Sequence, residues 1–460
     1  MDQTILPVCE KPGMKTKKPS ILANTILGFS TDMVAYALAF ATSIIMARSL
    51  GPANRGAFAI IVMLNQYLVG LLVMGMGSVA EMQLAKREYS LSEVHSFVIC
   101  FSLAVGAISV GLFLFLKPWL FQSFLHNVNP QFCFVSVLLV PFVLYSLLVG
   151  KILTGINEIP LLNIFKVVRS VSDLVGYTCL LVLIPMGVKG VLTAWVISMI
   201  LMAAVQSWWL FKLGGWRFGF NGKLMKESFL FGWKVHLAFL PAVAIAQLDG
   251  FVLNYFHGAE QVGLYTVANN GIFRVSLLFT SVLTAAQAKI IGQPQINSER
   301  LVRGLIRHSV FAASAITLFL FTVGRYIILF FYGKAFVPSA APLAILSIGM
   351  IGVTVTNFMN IYAVGQLKRP GLSAVINWGS FFLGGLLYFT LIPRFGLLGT
   401  AWASVFISVS KVLGYLWLLG WFSRSSISEL FVLRRDDFDF WKQKALLLRE
   451  RFTAKFAARE

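Results

Sequence analysis

LIPMGVKGVLTAWVIS (Leu183–Ser198) returns 208 residues later as LIPRFGLLGTAWASVFIS (Leu391–Ser408). Two more pairs keep nearly the same spacing. Gly51-Pro-Ala-Asn-Arg-Gly56 is answered by Gly258-Ala-Glu-Gln-Val-Gly263, and Gly155-Ile-Asn-Glu-Ile-Pro160 by Gly365-Gln-Leu-Lys-Arg-Pro370. Three matches at offsets of 207–210 residues mark an internal repeat. Each motif is a junction: glycine allows a tight turn, and proline ends one helix or starts the next.

The segments between these junctions are apolar runs of about 20 residues, the length that crosses a hydrocarbon layer of roughly 30 Å as a helix. They predict spans near 21–47, 57–80, 96–116, 131–150, 163–184, 190–211, 229–256, 263–288, 309–331, 339–363, 372–392 and 397–421. The fold class is therefore an all-α membrane protein of about 12 transmembrane helices. Six spans per repeat is an even number, so both copies enter the membrane in the same direction. The result is two parallel six-helix repeats, related about an axis along the membrane normal. The expected divisions are a tail at 1–20, a bundle at 21–211, a linker at 212–228, a second bundle at 229–421 and a basic amphipathic tail at 422–460.

Composition agrees. Of 460 residues, 58% are hydrophobic and 12% charged, against roughly 45–50% and 25% in soluble domains. Mean hydropathy is +0.81. The net charge of +20 would suggest nucleic acid in a soluble protein. Here the charge sits in short loops and tails, where it acts as an orientation signal, and no nucleic-acid partner is expected. With the N-terminus in the cytoplasm, inward segments carry Lys11–Lys18, Lys86, Arg87, Lys151, Lys212–Lys226, Lys289, Arg300–Arg307, Lys368, Arg369 and the C-terminal tail. Outward segments carry only Arg48, Arg55, Lys117, Lys189, Lys334 and Arg394. Both termini are thus expected inside. The first apolar run extends to Ala47 without a cleavage site and reads as a permanent span. Cys9, Cys100, Cys133 and Cys179 have no pair spacing, so neither a disulfide nor a metal site is expected.

The motifs quoted above, with ARSLGPANRGAFA at the first turn and QLDGFVLNYFHGAEQVGLYTVA across the seventh and eighth spans, resemble the oligosaccharide flippases of bacterial polysaccharide biosynthesis. These belong to the multidrug/oligosaccharidyl-lipid/polysaccharide exporter superfamily. The resemblance covers about 21–421. It implies two bundles around a central cavity, alternating access and residence in the bacterial inner membrane. It also implies export of a lipid-linked oligosaccharide, on undecaprenyl diphosphate, to the periplasmic leaflet. Membrane lipids and other polysaccharide-assembly membrane proteins are the implied partners, and the only implied cofactor is a coupling cation, H+ or Na+. Lipid II flippases usually carry two further helices, which argues against that branch. A cation-coupled multidrug antiporter of the same superfamily is the alternative. A polysaccharide polymerase or ligase is a third reading, disfavoured because the longest outward loop, Lys117 to Pro130, has only about 14 residues. No catalytic constellation appears.

A charge at the bilayer centre costs about 2.5–3.5 kcal/mol on insertion scales, so one that persists faces protein or water. An anionic diphosphate needs cations, and the planar arginine fork suits phosphate oxygens. The candidate cargo residues are Arg274, Lys411, Arg325, Lys166 and Arg169. Arg274 stands near the midplane, and its repeat counterpart is near Gln66 and Tyr67, so the halves differ in charge there. Arg325 is near a helix end and within reach of the interface. Lys166, Arg169 and Asp173 share one helix face, where Arg169 and Asp173 are spaced to pair. Asp249, Asp32 and Asp173 are the candidates for ion or proton coupling; a neighbouring cation would explain each equally well. Lys234 reads as an anchor. Asn24, Asn65, Asn254, Asn270, Asn357, Asn360 and Asn377 suit either a sugar-binding cavity or helix–helix hydrogen bonds. In the tail, Phe438, Trp441, Ala445, Leu448 and Phe452 predict an interfacial helix, and Asp437 and Asp439 read as acids at its N-terminal end.

Overall fold

The computed structural model describes residues 21–126, 128–214, 219 and 221–420. The N-terminal tail and the amphipathic segment after Gly420, with Asp437 and Asp439, lie outside them. Among the described residues every regular element is helical. In chain order these are α1 (Ile21–Leu72), α2 (Met76–Ala85), α3 (Leu91–Gln122), α4 (Pro130–Leu138), α5 (Val140–Gly155) and α6 (Ile159–Thr178). They continue as α7 (Gly187–Gly214), α8 (Gly222–Ile245), α9 (Leu248–Gly292), α10 (Gln295–Tyr332), α11 (Ala340–Ile361) and α12 (Pro370–Leu418). A π-helical turn, Cys179–Leu183, extends α6, and another, Tyr362–Gln366, extends α11.

The expected spans map onto these helices, with some pairs fused. α1 holds the first two, bent at Gly51, whose φ of 70° is the only non-helical point inside it. α9 is bent likewise at Gly258, with φ 81° and the same ψ of 175°. Glycine has no Cβ to oppose that conformation, so the repeated motif is a repeated backbone bend. α12 holds the last two spans, bent at Gly396. The fold is thus the expected all-helical, multi-pass membrane architecture of two repeated halves around a cavity.

Several junctions differ from the sequence expectation. The predicted loop at 48–56 is almost absent: Pro52 begins the next helix directly after Gly51. The second span breaks at Val73–Gly75, where Met74 and Gly75 have φ of 46° and 69°. The fourth is broken at Leu139, between α4 and α5, with Pro141 just beyond. The seventh breaks at Ala246–Gln247. The ninth begins at Gln295 rather than 309, because its charged first turns run on beyond the apolar stretch.

The two halves meet most closely where the Gly51 and Gly258 turns cross. A Cβ on Gly56 would stand 1.7 Å from the Ala259 carbonyl oxygen, and one on Gly263 would stand 2.0 Å from that of Pro52. The orientation expected from the basic residues would make this the outward end. A second close crossing lies toward the opposite end, where a Cβ on Gly75 would meet the Gly232 carbonyl at 2.5 Å. There Gln83 also donates to Ser228 at 3.2 Å. The second and seventh spans thus touch along much of their length. By contrast, the first span reaches the other half through Ala39, Phe40, Ser43 and Arg48, all in its portion nearer the turn.

Candidate functional site

Between the halves lies a cavity of about 640 Å³. α1 lines it from both arms: Ala39, Thr42 and Ser43 before the Gly51 bend, then Arg55, Phe58 and Gln66 after it. α6 supplies Ser170 and Asp173, and Gln247 enters from the break between α8 and α9. From α9 come Thr266, Asn270 and Arg274, four residues apart and therefore on one stripe. Gln247 donates to Gln66 across the interface at 2.9 Å.

Two arginines dominate the cavity's electrostatics. Arg55 is only 5% exposed. Its Nη1 donates to the Ser43 carbonyl at 2.7 Å and its Nη2 to Ser43 Oγ at 2.8 Å. Its guanidinium lies 5.5 Å from the Tyr332 ring centroid and 5.7 Å from that of Phe336. Arg274 donates through Nη2 to the Ala39 carbonyl at 3.2 Å, while its buried Nη1 has no partner. The two cations are close enough to repel one another. Neither has a carboxylate partner among the described ion pairs. Carbonyls and aromatic faces offset part of a buried cation's lost hydration, and an oxyanion between the two would supply the rest. Asp173, the acid in the lining, is already engaged: it accepts from Arg169 Nε at 2.9 Å and from Ser198 at 2.7 Å. The cavity therefore has a net positive wall.

The other candidate residues disperse. Lys166 is bonded to Asp32 on α1 at 2.9 Å, so the cationic face of α6 is neutralised residue by residue. Arg169 also places Nη1 3.1 Å from Met199 Sδ. Lys411 is half-buried on α12 and Arg325 is exposed on α10; neither lines the cavity. Asp249, at the start of α9, is 7% exposed. It accepts from the Tyr265 hydroxyl at 2.6 Å and the Gly250 amide at 2.7 Å, and forms no ion pair among the described residues. Of the asparagines, Asn270 lines the cavity. Asn65 bonds the Ser136 carbonyl and Asn360 accepts from Ser373 and Tyr415, both helix-to-helix ties, while Asn254 ties α9 to the Phe124 carbonyl in the turn after α3. No group of three or more His, Cys, Asp or Glu fit for a metal occurs among the described residues.

The family profile described as "Polysaccharide biosynthesis protein" matches residues 21–287, more than half the chain. The chain belongs to that family. No curated protein matches it. Among solved structures it is similar to "Lipid II flippase MurJ, inward closed conformation", at 15% identity and TM-score 0.70, covering 87% of each chain. It is also similar to an inward-facing multidrug resistance MATE transporter of the MOP superfamily, at 16% identity and TM-score 0.65, covering 87% of this chain and 98% of that one. A third match is a MOP superfamily transporter from Pyrococcus furiosus described as having a binding pocket of reversed polarity. It shows 16% identity and TM-score 0.59, covering 88% of this chain and 96% of that one. At these identities the likeness establishes a shared fold.

For a member of this family, Arg55 is the cavity residue that the sequence reading assigned elsewhere, to an outward loop. The signal was available. Arg274 drew notice because its repeat counterpart is uncharged, and the counterpart of Arg55 within the Gly-flanked motif is Val262. The same comparison marks both arginines.

Proposed function

We propose that the protein moves a lipid-linked oligosaccharide, carried on undecaprenyl diphosphate, from the cytoplasmic to the periplasmic leaflet of the bacterial inner membrane. It does so by alternating access, with both termini in the cytoplasm. The observation that carries this reading is the pair of buried Arg55 and half-buried Arg274 in one cavity, without a carboxylate partner among the described residues. A diphosphate supplies the missing counter-charge and accepts from both guanidinium forks. Carboxamides beside the arginines, Asn269, Asn270, Gln66 and Gln247, suit the hydroxyls of the first sugars. The closed outer turns, with a cavity beneath them, suit a state that loads from the cytoplasm. Lys411 and Arg325 serve elsewhere on the cargo's route or as anchors, and Lys166 and Arg169 act through their acids.

Coupling falls to Asp249. A buried carboxylate without a cation must take a proton or an ion, whereas Asp32 and Asp173 already have partners. Other polysaccharide-assembly membrane proteins are the natural partners, since they supply and consume the cargo. The multidrug reading is less favoured, because a cationic drug would meet a positive wall.

The test is deletion of the gene and complementation with Arg55→Ala and Arg274→Ala. Lipid-linked oligosaccharide is expected to accumulate in the cytoplasmic leaflet in the deletion strain, and neither variant is expected to clear it while both reach the membrane. Normal surface polysaccharide in both variants would remove the cargo assignment. Drug sensitivity with normal polysaccharide would favour the multidrug reading.

A further inference from the structure

The two cavity arginines are also structural parts of the outer closure. Arg55 stands on the N-terminal half, yet the rings beneath its guanidinium, Tyr332 and Phe336, belong to the C-terminal half. Arg274 stands on the C-terminal half, yet its carbonyl acceptor, Ala39, belongs to the N-terminal half. Ser43 and Tyr332 join the two through hydroxyls 3.3 Å apart, and Arg274 lies against the same Tyr332 hydroxyl. The sequence Arg55, Ser43, Tyr332, Arg274, Ala39 is thus one chain of contacts that crosses the interface repeatedly. Nearer the turn, Arg48 adds a separate tie, donating to the Phe330 and Phe331 carbonyls at the C-terminal end of α10 at 2.6 and 2.9 Å. A cation suits that end of a helix. Phe40 packs edge-on against Phe331, 5.1 Å between centroids.

We propose that the anion site and the fastener of the outer seal are the same residues, so that an oxyanion taken up by Arg55 and Arg274 releases the seal. The inference rests on the anion-binding reading of the cavity. A phosphate oxygen competes for the donors that now hold Ser43 and Ala39. The present bonds already have an ionised donor, and a phosphate oxygen adds an ionised acceptor in a bidentate geometry that a carbonyl or hydroxyl does not offer. Drawing Arg274 into the cavity removes its tie to the first span, and drawing Arg55 inward takes it off the Tyr332 face. What remains at that end is the Arg48 tie, apolar contact and the glycine crossing. Cargo occupancy and outer closure are then mutually exclusive uses of two side chains. That ordering keeps the empty carrier closed to the outside and opens it when loaded.

Linkage supplies the decisive check. If the anion loosens the seal, then loosening the seal by mutation must tighten anion binding, up to the anion's own preference for the open state. The full chain is purified with its accessible native cysteines replaced and spin labels placed at Ala53 and Glu260, exposed residues on the two crossing turns. Inorganic pyrophosphate is the probe. Distance distributions are read by electron–electron double resonance, and binding by calorimetry. The expected result is a longer-distance population that grows several-fold at saturating pyrophosphate. Tyr332→Ala is expected to show that population without pyrophosphate and to bind the anion about fivefold tighter or more. Tyr332→Phe, which keeps the ring under Arg55 but loses the hydroxyl link to Ser43 and Arg274, should fall between the parent and Tyr332→Ala on both readouts. If Tyr332→Ala fails to reach the membrane, Ser43→Ala carries the same expectation on a smaller scale. Saturable binding with unchanged distances, or an unlatched variant with unchanged affinity, overturns the linkage while leaving the anion site standing. No pyrophosphate binding at all removes the anion site, and the proposed cargo with it.

Discussion

Gly56→Ala tests the outer seam at its tightest point. The added methyl carbon would fall 1.7 Å from the Ala259 oxygen, 2.6 Å from its carbonyl carbon and 2.8 Å from the Gly263 nitrogen. Even close C–H···O contacts keep carbon and oxygen about 3.3 Å apart, so the turns must part by roughly 1.5 Å. All three obstructing atoms are backbone, and no rotamer change relieves them. Overpacking of this kind costs about 1–3 kcal/mol, and more where nothing yields. That cost falls on the sealed state alone. At 1.4 kcal/mol per tenfold, the sealed-to-open ratio drops roughly 5- to 150-fold. The assay is labelling of Thr42→Cys, a cavity-lining position, by a membrane-impermeant maleimide added to spheroplasts. In the otherwise native chain that cysteine should stay unlabelled from outside; with Gly56→Ala it should label, and polysaccharide export should fail at unchanged protein level. Gly51→Ala is the control, since its Cβ would meet nothing within 4 Å and only the positive φ is strained. Equal labelling with and without Gly56→Ala would refute the crossing as the seal.

Two other predictions concern the carboxylates. Asp249→Asn keeps the side chain's shape and removes its charge; export should fall to background in polysaccharide assays while pyrophosphate binding to the purified protein is unchanged. Retained export would remove Asp249 from coupling. For the half-exposed pair Asp32 and Lys166, each single reversal should cost only about 0.2–1 kcal/mol, the range of exposed pairs. The double exchange Asp32→Lys with Lys166→Asp should restore thermal stability and export together. Failure of the exchange despite restored stability would give Lys166 a direct part in transport.

The spans, the repeat and its parallel sense were legible because each leaves a signal in the linear sequence: apolar runs, recurring junctions and an even helix count. The Arg169–Asp173 pair was legible too, since it lies four residues apart on one helix. The Lys166–Asp32 pair was not, because 134 residues separate its members and only packing brings α1 against α6. The breaks at Leu139 and at Ala246–Gln247 lie inside apolar runs, where hydropathy stays flat while the backbone turns. Arg55 was misplaced for a related reason. Counting loops by hydropathy treats a residue just past a turn as solvent-facing, but here the turn is a single glycine, and Arg55, one helical turn beyond it, is already helical and buried.

The repeat also separates two tasks. Gly56 and Gly263 occupy equivalent positions and meet one another, each lying where a Cβ on the other would strike its backbone nitrogen, at 2.8 and 3.0 Å. Two copies of one turn can close on each other in this way only if both are bare of side chains there, so the seam depends on what the halves share. The fastener depends on what they do not share. Beside Gly56 stands Arg55, and beside Gly263 stands Val262; the position equivalent to Arg274 falls near the uncharged Gln66 and Tyr67. A cation at both equivalent positions would add like charges at the axis, whereas one on each half at different depths leaves a gap between them for an anion. The symmetric residues therefore make closure possible, and the asymmetric ones determine what chemistry can undo it.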